Sequence, residues 1–133
     1  MKKIAILILL FSFYSGISQT LSEKEIAKLN SLEIKTEKLN LENTTIQKDL
    51  NEILKLERKR KKNKTIGIVM TTISVSGMIL GGALLSKDNG LTDVFGGMMV
   101  AGGAVYGGIS IPFWVSSKKR KKERDELIKM FDK

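Results

Sequence analysis

Polar and apolar positions divide the chain into blocks. Residues 65–86 form 22 positions without a charge and residues 94–117 form 24 more, separated by the polar link KDNGLTD. A helix rises about 1.5 Å per residue, so the first run extends about 33 Å, enough to cross a bilayer. Nine of its residues are Ile, Leu or Val, whereas the second run holds eight Ile, Val or Phe and six glycines. Asn89-Gly90 in the link is a turn signal, so the pattern predicts a two-helix transmembrane hairpin over 65–117.

Before the hairpin, residues 21–64 contain neither Pro nor Gly and are rich in Glu, Lys, Leu, Ile and Asn. This composition predicts a long polar helix. With Leu29 at heptad position a, Leu32, Leu39, Ile46 and Ile53 fall at successive d positions. The a line reads Leu29, Thr36, Asn43, Leu50 and Glu57, half of it polar. A polar residue at a weakens a coiled coil while fixing its register, so either a specific coiled-coil stalk or an amphipathic helix docked on another protein fits the pattern. Ser22, with Glu25 three residues on, is a capping box that would start the helix.

The earliest block, MKKIAILILLFSFYSGISQT, has a basic start, a short apolar run and then small residues. That layout is an export signal over residues 1–18, cleaved before Gln19. An uncleaved anchor is the alternative, and both place Leu21 onward outside the cytoplasm. The domain reading is therefore signal peptide 1–18, stalk 19–64, hairpin 65–117 and basic tail 118–133, an all-α chain.

Within the hairpin the small residues are patterned. Gly67, Thr71, Ser74, Gly77 and Gly81 line one face of the first helix. The second helix carries two adjacent stripes, one of Gly96, Gly103, Gly107 and Ser110, the other of Gly97, Ala101, Ala104 and Gly108. Lipid offers no hydrophobic gain for helix association, so close approach through small residues drives packing there. One stripe serves the hairpin and leaves another for a second copy or another envelope protein.

Charge changes the picture at the edges. The net charge of +9 divides as +2 over residues 1–20, +4 over 21–64, −1 over 65–117 and +4 over 118–133. Arg58, Lys59, Arg60, Lys61, Lys62 and Lys64 precede the first span; Trp114, Lys118, Lys119 and Arg120 close the second. Basic flanks with an interfacial Trp mark a membrane–water boundary and attract anionic lipid headgroups at about 1 kcal/mol per charge. Nucleic acid fits less well, because no aromatic residue lies between Tyr14 and Phe95 to stack on a base. Pro112 is expected to break one hydrogen bond and bend the second helix near its end. Beyond it, Leu127, Ile128 and Phe131 fall on one side of a short surface helix.

These signals disagree on topology. The positive-inside rule puts both basic runs in the cytoplasm, while the export signal puts the stalk outside. The two are reconciled if the signal dominates, if the N-terminal run is no export signal, or if the weakly apolar hairpin is delivered to another envelope site. An exported stalk and tail is the preferred reading.

The chain has no Cys and no His. Disulfides, thiolate zinc sites, Cys nucleophiles, imidazole bases and a lipidated N-terminal cysteine are thereby excluded. Glu33, Glu37 and Glu42 are spaced like a solvated helix face, so no enzyme and no cofactor is expected. The signal peptide, the two Gly-rich helices and the ending IPFWVSSKKRKKE resemble uncharacterised small bacterial envelope proteins with a glycine-rich two-helix hairpin. Residues 66–115 are also loosely similar to the glycine-zipper two-transmembrane domains of outer-membrane lipoproteins, without their lipidation cysteine. The resemblance implies an envelope location and self-association. A small pore former of the holin or bacteriocin kind is the alternative.

Overall fold

A computed structural model of the chain describes residues 21–87 and 90–131. The export signal expected over 1–18 and the Asn89 half of the turn signal lie outside the described residues. Three α-helices account for most of the described chain: α1 (Glu23–Asn30), α2 (Thr44–Leu85) and α3 (Gly90–Ile128), with a 3-10 turn at Thr36–Lys38. The chain divides into two compact units, residues 1–54 and 55–133, and α2 crosses the division.

The first unit corrects the expectation of one long stalk helix. The start is as read: the Ser22 backbone N–H and Oγ both donate to the Glu25 carboxylate, at 3.1 and 3.0 Å. The helix nevertheless stops after eight residues. The Leu29 carbonyl accepts the Ile34 N–H at 3.3 Å and the Asn30 carbonyl accepts the Glu33 N–H at 3.0 Å, the two bonds of a Schellman ending. Glu33 sits at φ 69, in the left-handed region. Leu29 and Ile34, flanking the reversal, are both buried.

Asparagines keep the helix from resuming at once. Asn40 Oδ1 accepts the Glu42 N–H at 3.0 Å, and Asn43 Oδ1 accepts the Thr45 and Ile46 N–H groups at 2.9 and 3.4 Å. These side chains compete for the backbone donors a continuous helix would use, and the second instance caps α2. The six residues of the heptad reading therefore belong to separate segments. Leu29 is buried on α1, Leu32 and Leu39 are half-buried in the connection, and on α2 Ile46 is half-buried while Leu50 and Ile53 are buried.

A left-handed residue that is not glycine carries strain of about 1–2 kcal/mol. Glu33→Gly is expected to stabilise this turn by about 1 kcal/mol. Amide exchange at Glu33 and Ile34 in the full-length chain checks this, with roughly fivefold slower exchange expected.

In the second unit the helices overrun the charge-free blocks. α2 continues from the basic run into the first charge-free block, and α3 begins at Gly90 and passes through Pro112 to Ile128. Proline does not end α3. The basic tail is its last turns, closed by Met130 and Phe131 N–H bonds to Leu127 and Ile128 carbonyls.

Candidate functional site

The site is the seam between the 55–85 part of α2 and α3. The five buried residues of α3 are Gly96, Gly103, Ser110, Ser117 and Arg124, each seven after the last. On α2, Gly67, Ser74 and Gly81 are buried at the same step, with half-buried Arg60 seven before Gly67. A seven-residue seam is the repeat of helices that coil left-handed around each other, here antiparallel and with the smallest side chains at the contact.

Cβ positions show how close the approach is. A Cβ on Gly81 would lie 2.7 Å from the Gly96 carbonyl oxygen, and one on Gly96 would lie 2.8 Å from the Gly81 carbonyl oxygen. Further along the seam, a Cβ on Gly103 would meet the Ser74 carbonyl oxygen at 2.8 Å. Gly77 faces the Met99 carbonyl at 3.2 Å, Gly107 the Ser74 hydroxyl at 2.8 Å and Gly67 the Trp114 ring from 3.2 Å. Only hydrogen fits at the tightest of these points, where neighbouring backbone stands in the way.

The structure thus selects between the two stripes of α3. Gly103 and Gly107 lie in the seam with Gly67, Ser74, Gly77 and Gly81. Gly97 and Gly108 have nothing within 4 Å of a Cβ, and Ala101 and Ala104 are exposed beside them. Trp114, read as a boundary residue, also takes part in the seam. Half-buried, it packs over Gly67, and its Nε1–H donates to Thr71 Oγ1 at 3.2 Å.

Toward the basic end the seam becomes polar. Asn63 Nδ2 donates to Ser116 Oγ at 2.8 Å and Ser117 Oγ donates to the Arg60 carbonyl at 3.2 Å. One step on, Glu57 is 2 % exposed and takes both arms of Arg60, Nε and Nη2, at 2.8 Å each. Arg124 from α3 donates through Nη1 to the same carboxylate, while its Nε and Nη2 hold Asp125. Among the described residues no buried side-chain nitrogen or oxygen lacks a partner. Burial pushes the Glu57 carboxyl up, but hydrogen bonds from Arg60 and Arg124 and their charges outweigh that and hold it below its ordinary value. The Glu57 hydrogen bond in turn raises Arg60.

Glu57, Asn63, Ser116, Ser117, Arg124 and Asp125 were not among the expected functional positions. One signal was present: Glu57 is the single acid beside RKRKK, and Arg124 lies at the same step of seven as Gly96. Of the expected edge residues, Arg58, Lys59, Lys61, Lys62, Lys64, Lys118 and Lys119 are exposed. Arg60 and Arg120 are half-buried, the latter paired with Glu123 at 2.8 Å.

Outside the seam the hairpin is apolar. Both helices are long and apolar enough to cross a membrane, and only 11 % of the apolar window of α2 and 17 % of that of α3 are buried. Ile79, Phe95, Met98 and Ile111 are each more than half exposed. The core helix of a soluble domain is mostly buried, and neither of these windows is. No protein-family model, characterised protein or solved structure matches the chain.

Proposed function

We propose that this chain is a non-enzymatic, membrane-anchored protein of the bacterial envelope. The observation that carries the reading is the outward apolar surface of the hairpin, held around a seam with no room for a side chain at Gly81, Gly96 and Gly103 and ended by a polar clamp. In water such a surface is a large apolar patch of the kind that marks an interaction site. In hydrocarbon it is the ordinary exterior of a span. The first unit is then the exported part that meets a partner in the aqueous space.

The second small stripe of α3, Gly97, Ala101, Ala104 and Gly108, remains open and supports association between copies by small-residue packing. In this reading Gly81 belongs to the intramolecular seam, so the residues that test association are Ala104 and Gly108. Ala104→Leu with Gly108→Leu is expected to shift the full-length protein in mild detergent from an oligomer to a monomer, read by analytical ultracentrifugation. A wild type that is already monomeric would remove the association step.

Retention of the protein in the membrane fraction after an alkaline carbonate wash tests the anchor; release into the supernatant would end that reading. Orientation is tested by labelling single cysteines at Asn40→Cys, Asn89→Cys and Lys133→Cys in intact cells with an impermeant maleimide. Reaction at positions 40 and 133 but not 89 is expected of an exported first unit and tail. Reaction at 89 alone would place both in the cytoplasm.

A further inference from the structure

The two basic runs meet at one end of the hairpin. The bonds Asn63 to Ser116 and Ser117 to Arg60 set residues 58–64 beside residues 117–122. Within this collar arginine and lysine behave differently. Arg60 is paired with Glu57, Arg120 with Glu123, and Arg124 with Glu57 and Asp125. Lys61 and Lys122 each lie 3.9 Å from an acid. Lys59, Lys62, Lys64, Lys118, Lys119 and Lys121 are exposed and make no ion pair among the described residues.

We propose that these six lysines, three from each helix, form a binding collar for phosphate-bearing anionic lipids in one leaflet, an assignment that rests on the membrane-anchor reading. Glu57, Glu123 and Asp125 are taken up by arginines, whose planar forks suit carboxylates, so the charge of these six lysines is left uncompensated. Lys64 is the last residue before the first charge-free run and Lys118 the first after the second. Lysine stems of this kind lie along apolar surface while the ammonium reaches the headgroup layer. Nucleic acid fits less well because Trp114 packs over Gly67 and donates to Thr71 rather than standing free among the lysines.

Trp114 is the single tryptophan of the chain and serves as a reporter. The full-length protein is reconstituted in phosphatidylcholine vesicles containing a trace of either phosphatidylglycerol or phosphatidylcholine, each carrying the same energy acceptor on its acyl chain. At low salt the anionic probe is expected to be enriched around Trp114 about fivefold over the neutral one, and the excess is expected to fall as salt is raised. Replacing all six lysines with Gln should abolish the excess while the protein stays in the vesicles after a carbonate wash. Equal transfer to both probes from a carbonate-resistant wild type overturns the collar and leaves the anchor standing. Loss of the wild type in the wash overturns the anchor and the collar with it. Displacement of the anionic probe by a soluble oligonucleotide at equal phosphate concentration would make the collar a general polyanion surface and overturn the lipid assignment.

Discussion

Glu57→Gln is expected to open the basic end of the hairpin. The amide keeps the shape of the side chain but removes its charge, leaving Arg60 and Arg124 without the carboxylate they share. Breaking one partner of a buried ion pair costs about 3–5 kcal/mol, because the remaining charge stays desolvated. Asp125 still holds Arg124 and Arg60 is partly exposed, so about 3 kcal/mol is the expected figure here. Replacing the pair that crosses the seam with Glu57→Leu and Arg124→Leu should restore part of the loss, since apolar replacements of a buried pair are often neutral and Arg60, left without Glu57, is partly exposed. The chain has no native cysteine. The rate of disulfide formation between Asn63→Cys and Ser116→Cys therefore reports closure directly in each background. A Glu57→Gln rate equal to that of the parent would show that the cluster does not hold the helices together.

Acid should act through the same carboxylate. Its folded value lies below the ordinary value of 4.5, so its contribution is complete above that pH and is lost as pH falls through the lower folded value. The arginines stay charged throughout and repel once Glu57 is protonated. The rate of closure in the parent relative to the double variant that combines Glu57→Leu with Arg124→Leu, a ratio in which the thiolate dependence of disulfide formation cancels, should therefore drop below about pH 4.5.

Much of the hairpin was legible in the sequence because its signals are local. Charge-free runs of 22 and 24 residues mark two helices long and apolar enough to cross a membrane, and small residues at steps of three and four mark the faces. What local pattern does not settle is which stripe of α3 meets α2, since both stripes are small and lie one residue apart. The choice becomes readable when the step of seven is carried beyond the apolar run. From Gly96 and Gly103 it reaches Ser110 and Ser117, still small, before Arg124; from Gly97 and Ala104 it already reaches Ile111 inside the apolar run and then Lys118. In the first unit the error ran the other way. A heptad assigned across Asn40 and Asn43 gave weight to distant apolar spacing, when the short polar side chains were poised to take the backbone donors themselves. Glu57 had been placed on that same heptad, and its partner Arg124 lies 67 residues away, so the pair shows only when the acid beside RKRKK is read together with the step of seven on α3.

Gly103→Leu is expected to separate the helices along the seam, for a reason independent of charge. Its Cβ would fall 2.8 Å from the Ser74 carbonyl oxygen and 3.1 Å from the Met78 backbone nitrogen, and backbone within α2 cannot step aside as a side chain tip can. Overpacking a filled core costs about 1–3 kcal/mol, and a contact with backbone on a two-helix seam belongs at the upper end. Gly97→Leu and Gly108→Leu introduce the same side chain where nothing lies within 4 Å, and should leave closure within about 0.5 kcal/mol of the parent. The disulfide reporter at 63 and 116 distinguishes the two groups, and ultracentrifugation of the same variants reads association separately. Slow closure for Gly103→Leu, with normal closure but lost association for Gly108→Leu, would assign the inner stripe to the hairpin and the outer one to contacts between copies. If Gly97→Leu and Gly108→Leu instead slow closure and Gly103→Leu does not, the seam uses the other stripe of α3, and the step of seven that joins Gly96 to Arg124 is not what aligns the helices.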